Sequence, residues 1–316
     1  MAAIATVGSI GVAYALYSAY VREEDVPWKQ WKVRIYRSLP LGPFSRVWGT
    51  VNSIEIPLLL RRPILGAYAR MFNCDLMEAE MPDLRSYSSL QQFFCRSLRS
   101  DLRPISTLPV VSPADGIVQW CGTLEDGCLS QVKGITYPLE EFFGRQELPG
   151  INLAAKATLF SCIVYLAPGD YHGFHSPTDW EIAFRRHISG YLLSVGQRIV
   201  RRVSNLYALN ERVHLVGQWR YGFFSLSAVG ATNVGSINVV FEDDLRTNRH
   251  GVKRGSLSDR TYTPTWTSRK GEKLGDFKFG SSVVLVFEAP STFQFSVTAG
   301  RRIKYGEPLG LISADS

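Results

Sequence analysis

From about residue 110 onward the chain alternates short apolar runs with clusters of Gly, Pro and Asp. Runs of strand length fall at Gly116–Cys121, Thr158–Leu166, Glu181–His187, Val213–Tyr221, Phe223–Val229, Ser236–Phe241, Ser282–Glu288 and Thr292–Val297. Several alternate polar and apolar residues, as in Thr292-Phe293-Gln294-Phe295-Ser296-Val297. A period of two predicts strands with one buried face. No long amphipathic helix interrupts them, so the pattern predicts a β-sandwich or barrel-like core. The polar stretch Asn248–Lys270 reads as a long loop or mobile hairpin.

The first hundred residues have a different texture. Trp28, Trp31, Ile35, Leu39, Val47, Trp48 and Val51 recur at roughly helical spacing among Lys and Arg. Pro27, Pro40, Pro43, Pro57 and Pro63 keep each predicted helix short. Residues 2–21 carry no charged side chain. A helix of that length spans about 30 Å, one hydrocarbon core. Tyr17 and Tyr20 lie at one end, where interfacial aromatics belong. A retained transmembrane anchor, a targeting segment and a buried helix all remain open; no basic region precedes the stretch to mark a signal peptide. The chain thus divides into an anchor (1–25), a helical, basic, membrane-proximal region (26–105) and a β-rich catalytic domain (106–316). The expected class is α+β, predominantly β, with N-terminal helices and an N-terminal transmembrane helix.

Charge sharpens this picture. The net charge is +7, and residues 26–70 carry all of it: Lys29, Lys32, Arg34, Arg37, Arg46, Arg61, Arg62 and Arg70 face one acid, Glu55. The rest of the chain is nearly balanced, which argues for a local anionic partner surface and against nucleic acid. Either this segment lies on anionic lipid, or its helices pack on the domain with a solvated basic face. Five widely spaced cysteines without a CxxC motif predict no disulfide framework. The five histidines form no HExxH, and no metal is expected.

Three segments carry candidate chemistry. In Lys278-Phe279-Gly280-Ser281-Ser282-Val283 a hydroxyl follows a glycine at the mouth of an apolar run. The Ser281 oxygen can attack the carbonyl of Gly280, which the missing side chain leaves open. Tyr171-His172-Gly173-Phe174-His175-Ser176-Pro177 places two histidines on a loop after the Pro168-Gly169-Asp170 turn, and histidine suits proton transfer near neutral pH. Ser112-Pro113-Ala114-Asp115-Gly116 supplies a carboxylate in a turn. A carboxylate beside a histidine raises its basicity enough to deprotonate serine. The set fits a serine hydrolase or a self-processing protein. No serine lies in GxSxG, and the β/α alternation of the α/β-hydrolases is absent. A membrane-tethered lipid hydrolase and a non-enzymatic, membrane-binding β-domain remain the alternatives.

Taken in order, these segments resemble the phosphatidylserine decarboxylases of the mitochondrial, membrane-anchored type. The resemblance covers most of residues 30–316. It rests also on Phe93-Phe94-Cys95-Arg96, Gln131-Val132-Lys133-Gly134, Asn210-Glu211-Arg212 and Val229-Gly230-Ala231-Thr232-Asn233-Val234-Gly235-Ser236. The family's processing site reads Leu-Gly-Ser-Thr or Gly-Gly-Ser-Thr; here it reads Phe-Gly-Ser-Ser, and Ser282 keeps the hydroxyl that threonine supplies.

The resemblance implies that His175, oriented by Asp115, deprotonates Ser281. It further implies that the chain cuts itself between Gly280 and Ser281, and that residue 281 becomes a covalent pyruvoyl group (pyruvate). That group would form a Schiff base with phosphatidylserine, and His172 would protonate Cα after CO2 leaves, giving phosphatidylethanolamine. A large chain (1–280) and a small chain (281–316) would remain together as a heterodimer. The implied location is the mitochondrial inner membrane, crossed once, with the catalytic domain in the intermembrane space. Phe93 and Phe94 would face acyl chains or the core.

Overall fold

The computed structural model describes residues 27–313 except 125–126, 133–134, 146–147, 149–157, 233–235 and 279. The expected anchor at 2–21 lies outside the described residues. Among the described residues no helix is long and apolar enough to cross a membrane.

Three helices open the described chain: α1 (Gln30–Ser38), α2 (Leu41–Ser53) and α3 (Leu58–Met71). Pro40 and Pro57 occupy the positions just before α2 and α3, where a missing N–H costs no helical bond. The helices pack through narrow stripes, that of α1 only partly buried. Trp28, Val33, Tyr36 and Leu41 pack on the β-rich body. Leu65 and Ala69 join Leu84, Tyr87 and Phe93 in a small separate core. The other face is apolar and exposed: Trp31, Phe44, Val47, Ile54 and Leu59 are all more than half accessible.

After a short helix α4 (Leu90–Phe94) come β1 (Val110–Val111), β2 (Gly116–Thr123), β3 (Cys128–Val132) and β4 (Ile135–Pro138). Helix α5 (Leu139–Phe143) leads to β5 (Thr158–Leu166), β6 (Gly173–His175) and β7 (Trp180–Ile188). Helices α6 (Gln197–Val200) and α7 (Leu206–Leu209) precede β8 (Arg212–Trp219), β9 (Gly222–Gly230) and β10 (Ile237–Val239). The chain ends with β11 (Leu257–Ser268), β12 (Lys273–Phe277), β13 (Ser281–Ala289), β14 (Phe293–Phe295), β15 (Arg302–Ile303) and β16 (Pro308–Ile312).

Eight strands form one antiparallel sheet in the order β11-β7-β8-β9-β13-β5-β2-β15. It stays open among the described residues, with β11 and β15 at its edges, rather than closing as a barrel. Both faces are covered, as β13 shows residue by residue. Val283, Leu285 and Phe287 face one core, against the small sheets β1-β16-β14 and β10-β12-β6. Val284 and Val286 face the other, against α5, α6, α7 and the β3–β4 hairpin. All five side chains are fully buried, which explains a continuous apolar run instead of alternation.

One expectation fails here. The stretch 248–270 is not simply a loop or hairpin: it contains β11, a twelve-residue edge strand paired with β7. Most of β11 is exposed, so no buried face imposes an apolar period on its sequence.

Candidate active site

The catalytic candidates gather at one end of the large sheet. Strand register puts Ser281 beside Leu166 of β5 and Gly230 of β9, at the first position of β13. Gly116 opens the neighbouring β2, and Asp115 precedes it. The turn after Leu166 leads to His172 and His175. Antiparallel order therefore brings three distant segments to a common edge.

Ser281 is fully buried and its Oγ has no hydrogen-bond partner. A buried hydroxyl without a partner is costly, and such groups concentrate where chemistry needs them. Gly280 sits in open space: an added Cβ would meet nothing within 4 Å. Packing therefore does not require glycine there. Position 281 carries a serine hydroxyl, so this geometry is that of an uncut chain.

Pairing of β6 with β12 fixes the histidine segment, with Gly173 opposite Asp276 and His175 opposite Lys273. The His172 carbonyl accepts from Phe277 N–H at 2.9 Å, just before the connection to Ser281. His172 is fully buried against Phe94, with ring centroids 4.0 Å apart. Its Nδ1 lies 2.9 Å from the Asp170 carbonyl oxygen. A carbonyl only accepts, so Nδ1 carries the proton and Nε2 presents a lone pair. That Nε2 has no partner. Burial lowers the His172 pKa to about 3, and the nearby Arg96 charge adds to the fall.

His175 is built the same way. Nδ1 donates to the Gly271 carbonyl at 2.9 Å, so Nε2 accepts from the Tyr171 hydroxyl at 3.1 Å. The ring lies flat on Tyr305, 3.9 Å away and 5° from parallel. Burial lowers its pKa to about 4, with Lys273 and Arg103 contributing. Both histidines are neutral at pH 7, the form a general base requires.

Asp115 is buried in an ion-pair network. Its Oδ2 accepts from Arg103 Nη2 at 2.6 Å, and its Oδ1 from the Tyr305 N–H at 2.8 Å. Arg103 also pairs with Glu78 at 2.7 Å. Burial raises the Asp115 pKa, while Arg103 and the Tyr305 N–H oppose that rise. No hydrogen bond joins Asp115 to His175, or either of them to Ser281. Asp115 and His175 are linked instead through Tyr305, by its backbone on one side and its ring on the other. The His175 N–H also donates to the Pro113 carbonyl in the Asp115 turn, at 2.7 Å.

Arg103, Glu78 and Tyr305 were not found by reading the sequence, because none sits in a local pattern that marks chemistry. Tyr171 lay within the histidine segment but had no role assigned. Phe93 and Phe94 are both buried and so belong to the core. Phe94 doubles as a wall for His172.

Comparison with known proteins bears on this arrangement. Residues 90–311 match the family model for phosphatidylserine decarboxylase. The chain belongs to the phosphatidylserine decarboxylase family. It is 41% identical to the mitochondrial phosphatidylserine decarboxylase proenzyme of Cricetulus griseus, over 95% of this chain and 82% of that protein. It is 44% identical to the Caenorhabditis elegans proenzyme of the same name, over 89% of this chain and 74% of the relative. The Schizosaccharomyces pombe proenzyme 1, also named mitochondrial, is 39% identical over 90% and 84%. The matched span of this decarboxylase-family chain contains all five candidate positions: Asp115, His172, His175, Gly280 and Ser281.

Proposed function

We propose that this chain decarboxylates phosphatidylserine to phosphatidylethanolamine and CO2, after making a pyruvoyl group from its own Ser281. The observation that carries the reading is the buried, unpartnered Ser281 hydroxyl beside an unobstructed glycine, in a chain of this family. His175, neutral and with its lone pair on Nε2, takes the Ser281 proton once Tyr171 releases that nitrogen. Tyr305 holds the ring and carries the Asp115 carboxylate behind it. The Ser281 oxygen attacks the Gly280 carbonyl carbon, the amide C–N bond breaks, and an ester forms. Elimination then leaves a Gly280 carboxylate and dehydroalanine at 281. Addition of water releases the nitrogen as ammonia and leaves a ketone.

The residues present fit such a group, because position 281 is fully buried and its Oγ is engaged by no other side chain. A ketone there supplies the electron sink that loss of a carboxylate from Cα requires. His172 then delivers a proton to Cα. It starts neutral, and an anionic substrate beside it raises its proton affinity enough to load it. The division of labour is thus His175 for maturation and His172 for turnover.

The front of the molecule suits a lipid substrate. The exposed apolar side chains of α1–α3 rest in the bilayer interface, with the surrounding Lys and Arg on anionic headgroups. Beside α2, a cavity of about 390 Å3 presents Arg46, Arg249 and Arg254. We propose with it a three-part organisation: anchor 1–25, membrane-proximal helices 26–105 and catalytic domain 106–316. We place the protein in the mitochondrial inner membrane as a single-pass protein, with the catalytic domain in the intermembrane space. The large and small chains stay paired.

Intact mass under denaturing conditions tests the reading. Wild type should give two polypeptides split after Gly280, the smaller with a blocked N-terminus. Ser281→Ala should give one chain and no CO2 release. An active wild type with an ordinary serine at 281 would refute it.

A further inference from the structure

Arg96 is 4% exposed, and its guanidinium is only partly satisfied. Nη2 donates to the Gly169 carbonyl at 3.1 Å, and the group lies over the Phe93 ring at 5.2 Å. Nε and Nη1 have no hydrogen-bond partner. Among the described residues no carboxylate pairs with it. A buried cation with two idle donors is costly unless an anion completes it.

Its position ties it to the reactive centre. Three consecutive residues touch the site: the Phe94 ring lies on His172, Cys95 Sγ reaches the Phe277 carbonyl at 3.7 Å, and Arg96 holds Gly169. Gly169 follows Leu166, the register partner of Ser281, by one tight turn. Arg96 is also close enough to His172 for its charge to act on that ring. At this sheet end, then, the idle polar atoms include the hydroxyls of Ser281 and Ser282, a lone pair at His172 and two cationic donors at Arg96.

We infer that Arg96 binds the phosphodiester of the lipid substrate and fixes its headgroup between Ser281 and His172. This rests on the decarboxylase reading above and names the group that recognises the substrate's anion. The substrate has two anionic groups, and the chemistry chooses between them. The carboxylate loses its charge as CO2 leaves, so a guanidinium fixed on it would stabilise the ground state more than the transition state. The phosphodiester keeps its charge throughout, and binding it lowers KM without a cost to kcat. Arginine's planar fork matches two phosphate oxygens: Nε–H or Nη1–H pairs with the second N–H of Nη2, the first being held by the Gly169 carbonyl.

The test uses the full chain with two dispersed substrates, phosphatidylserine and its neutral phosphate methyl triester. Wild type should prefer the diester by at least tenfold in kcat/KM. Arg96→Met keeps the packing over Phe93 but removes the donors. It should raise KM for the diester at least tenfold, leave kcat within about threefold, and reduce the diester preference to near one. Arg96→Lys should recover part of that preference. Cutting after Gly280, read by intact mass, should proceed normally in both variants, because it involves no lipid. An unchanged diester preference in Arg96→Met overturns the inference, as does equal loss on both substrates, which would mean a structural role or carboxylate binding. A wild type that releases no CO2 from either substrate would instead refute the decarboxylase reading itself.

Discussion

His172 and His175 lie three residues apart, yet the fold gives them different surroundings. The Nε2 of His175 is occupied by the Tyr171 hydroxyl and its ring by Tyr305, whereas the Nε2 of His172 is idle against Phe94. An idle, buried lone pair suits a group that waits for a substrate; a bonded one suits a base positioned in advance. His172→Ala should therefore still be cut after Gly280 but lose decarboxylation by at least 100-fold, within the range that general acid–base groups supply. Intact mass and CO2 release on the same sample check the two halves. Arrest of cutting in that variant would show that His172, not His175, serves the maturation step.

At the scale of elements, β13 governs what the proposed cut would leave behind. It pairs with both β5 and β9 in the middle of the sheet, and Val283 to Phe287 are fully buried. Burial of each such side chain is worth roughly 1.5–3 kcal/mol. The same small-chain segment supplies β14, β15 and β16 to the neighbouring sheets, and Tyr305 to the Asp115 network. The proposed cleavage in front of β13 would remove one covalent bond and none of these contacts. The two polypeptides should co-elute on size exclusion in native buffer at high salt and separate only in denaturant. Release of the small chain under native conditions would mean that the sheet is not held as β13 implies.

Across the whole molecule, buried neutral histidines set the response to acid. Burial holds His172 near 3 and His175 near 4, and it also depresses His214 well below the ordinary imidazole value. In the unfolded chain each returns to the ordinary imidazole value of about 6.5. Below that value the unfolded state takes up protons that the folded state refuses. Stability is thus full above pH 6.5 and falls as pH drops, by up to about 1.4 kcal/mol per pH unit for each histidine. The loss should flatten for His175 near pH 4 and for His172 near pH 3. Asp115, whose pKa is raised, acts with the opposite sign at the acid end of that range. Urea titrations of uncut Ser281→Ala at pH 7, 6 and 5 should show a steadily falling midpoint. A flat profile would mean that these rings are solvated.

Much of this protein was legible along the chain. The apolar run after Ser282 was legible as a strand, though not its burial on both faces, and the Gly, Pro and Asp clusters marked where strands end. Pro40 and Pro57 separate the three helices observed, whereas Pro43 and Pro63 lie inside helices of 13 and 14 residues and do not cut them short as expected. Gly280-Ser281, the histidine pair and Asp115 announced themselves because local chemistry needs those residue types side by side. Other features depended on contacts between distant segments. β11 was hidden because an exposed edge strand needs no apolar period. The sheet's openness was hidden because closure depends on how its outer strands meet. Arg103, Glu78 and Tyr305 had no local mark, since their roles arise from salt bridges and ring contacts across dozens of residues. Sequence alone determined which groups are available for chemistry and which segments are strands, because both follow from residue type and short-range periodicity. Only the tertiary structure decided that Asp115 reaches His175 through Tyr305, and that Ser281, His172 and Arg96 are left idle at one sheet end, because strand order and burial are properties of the folded whole.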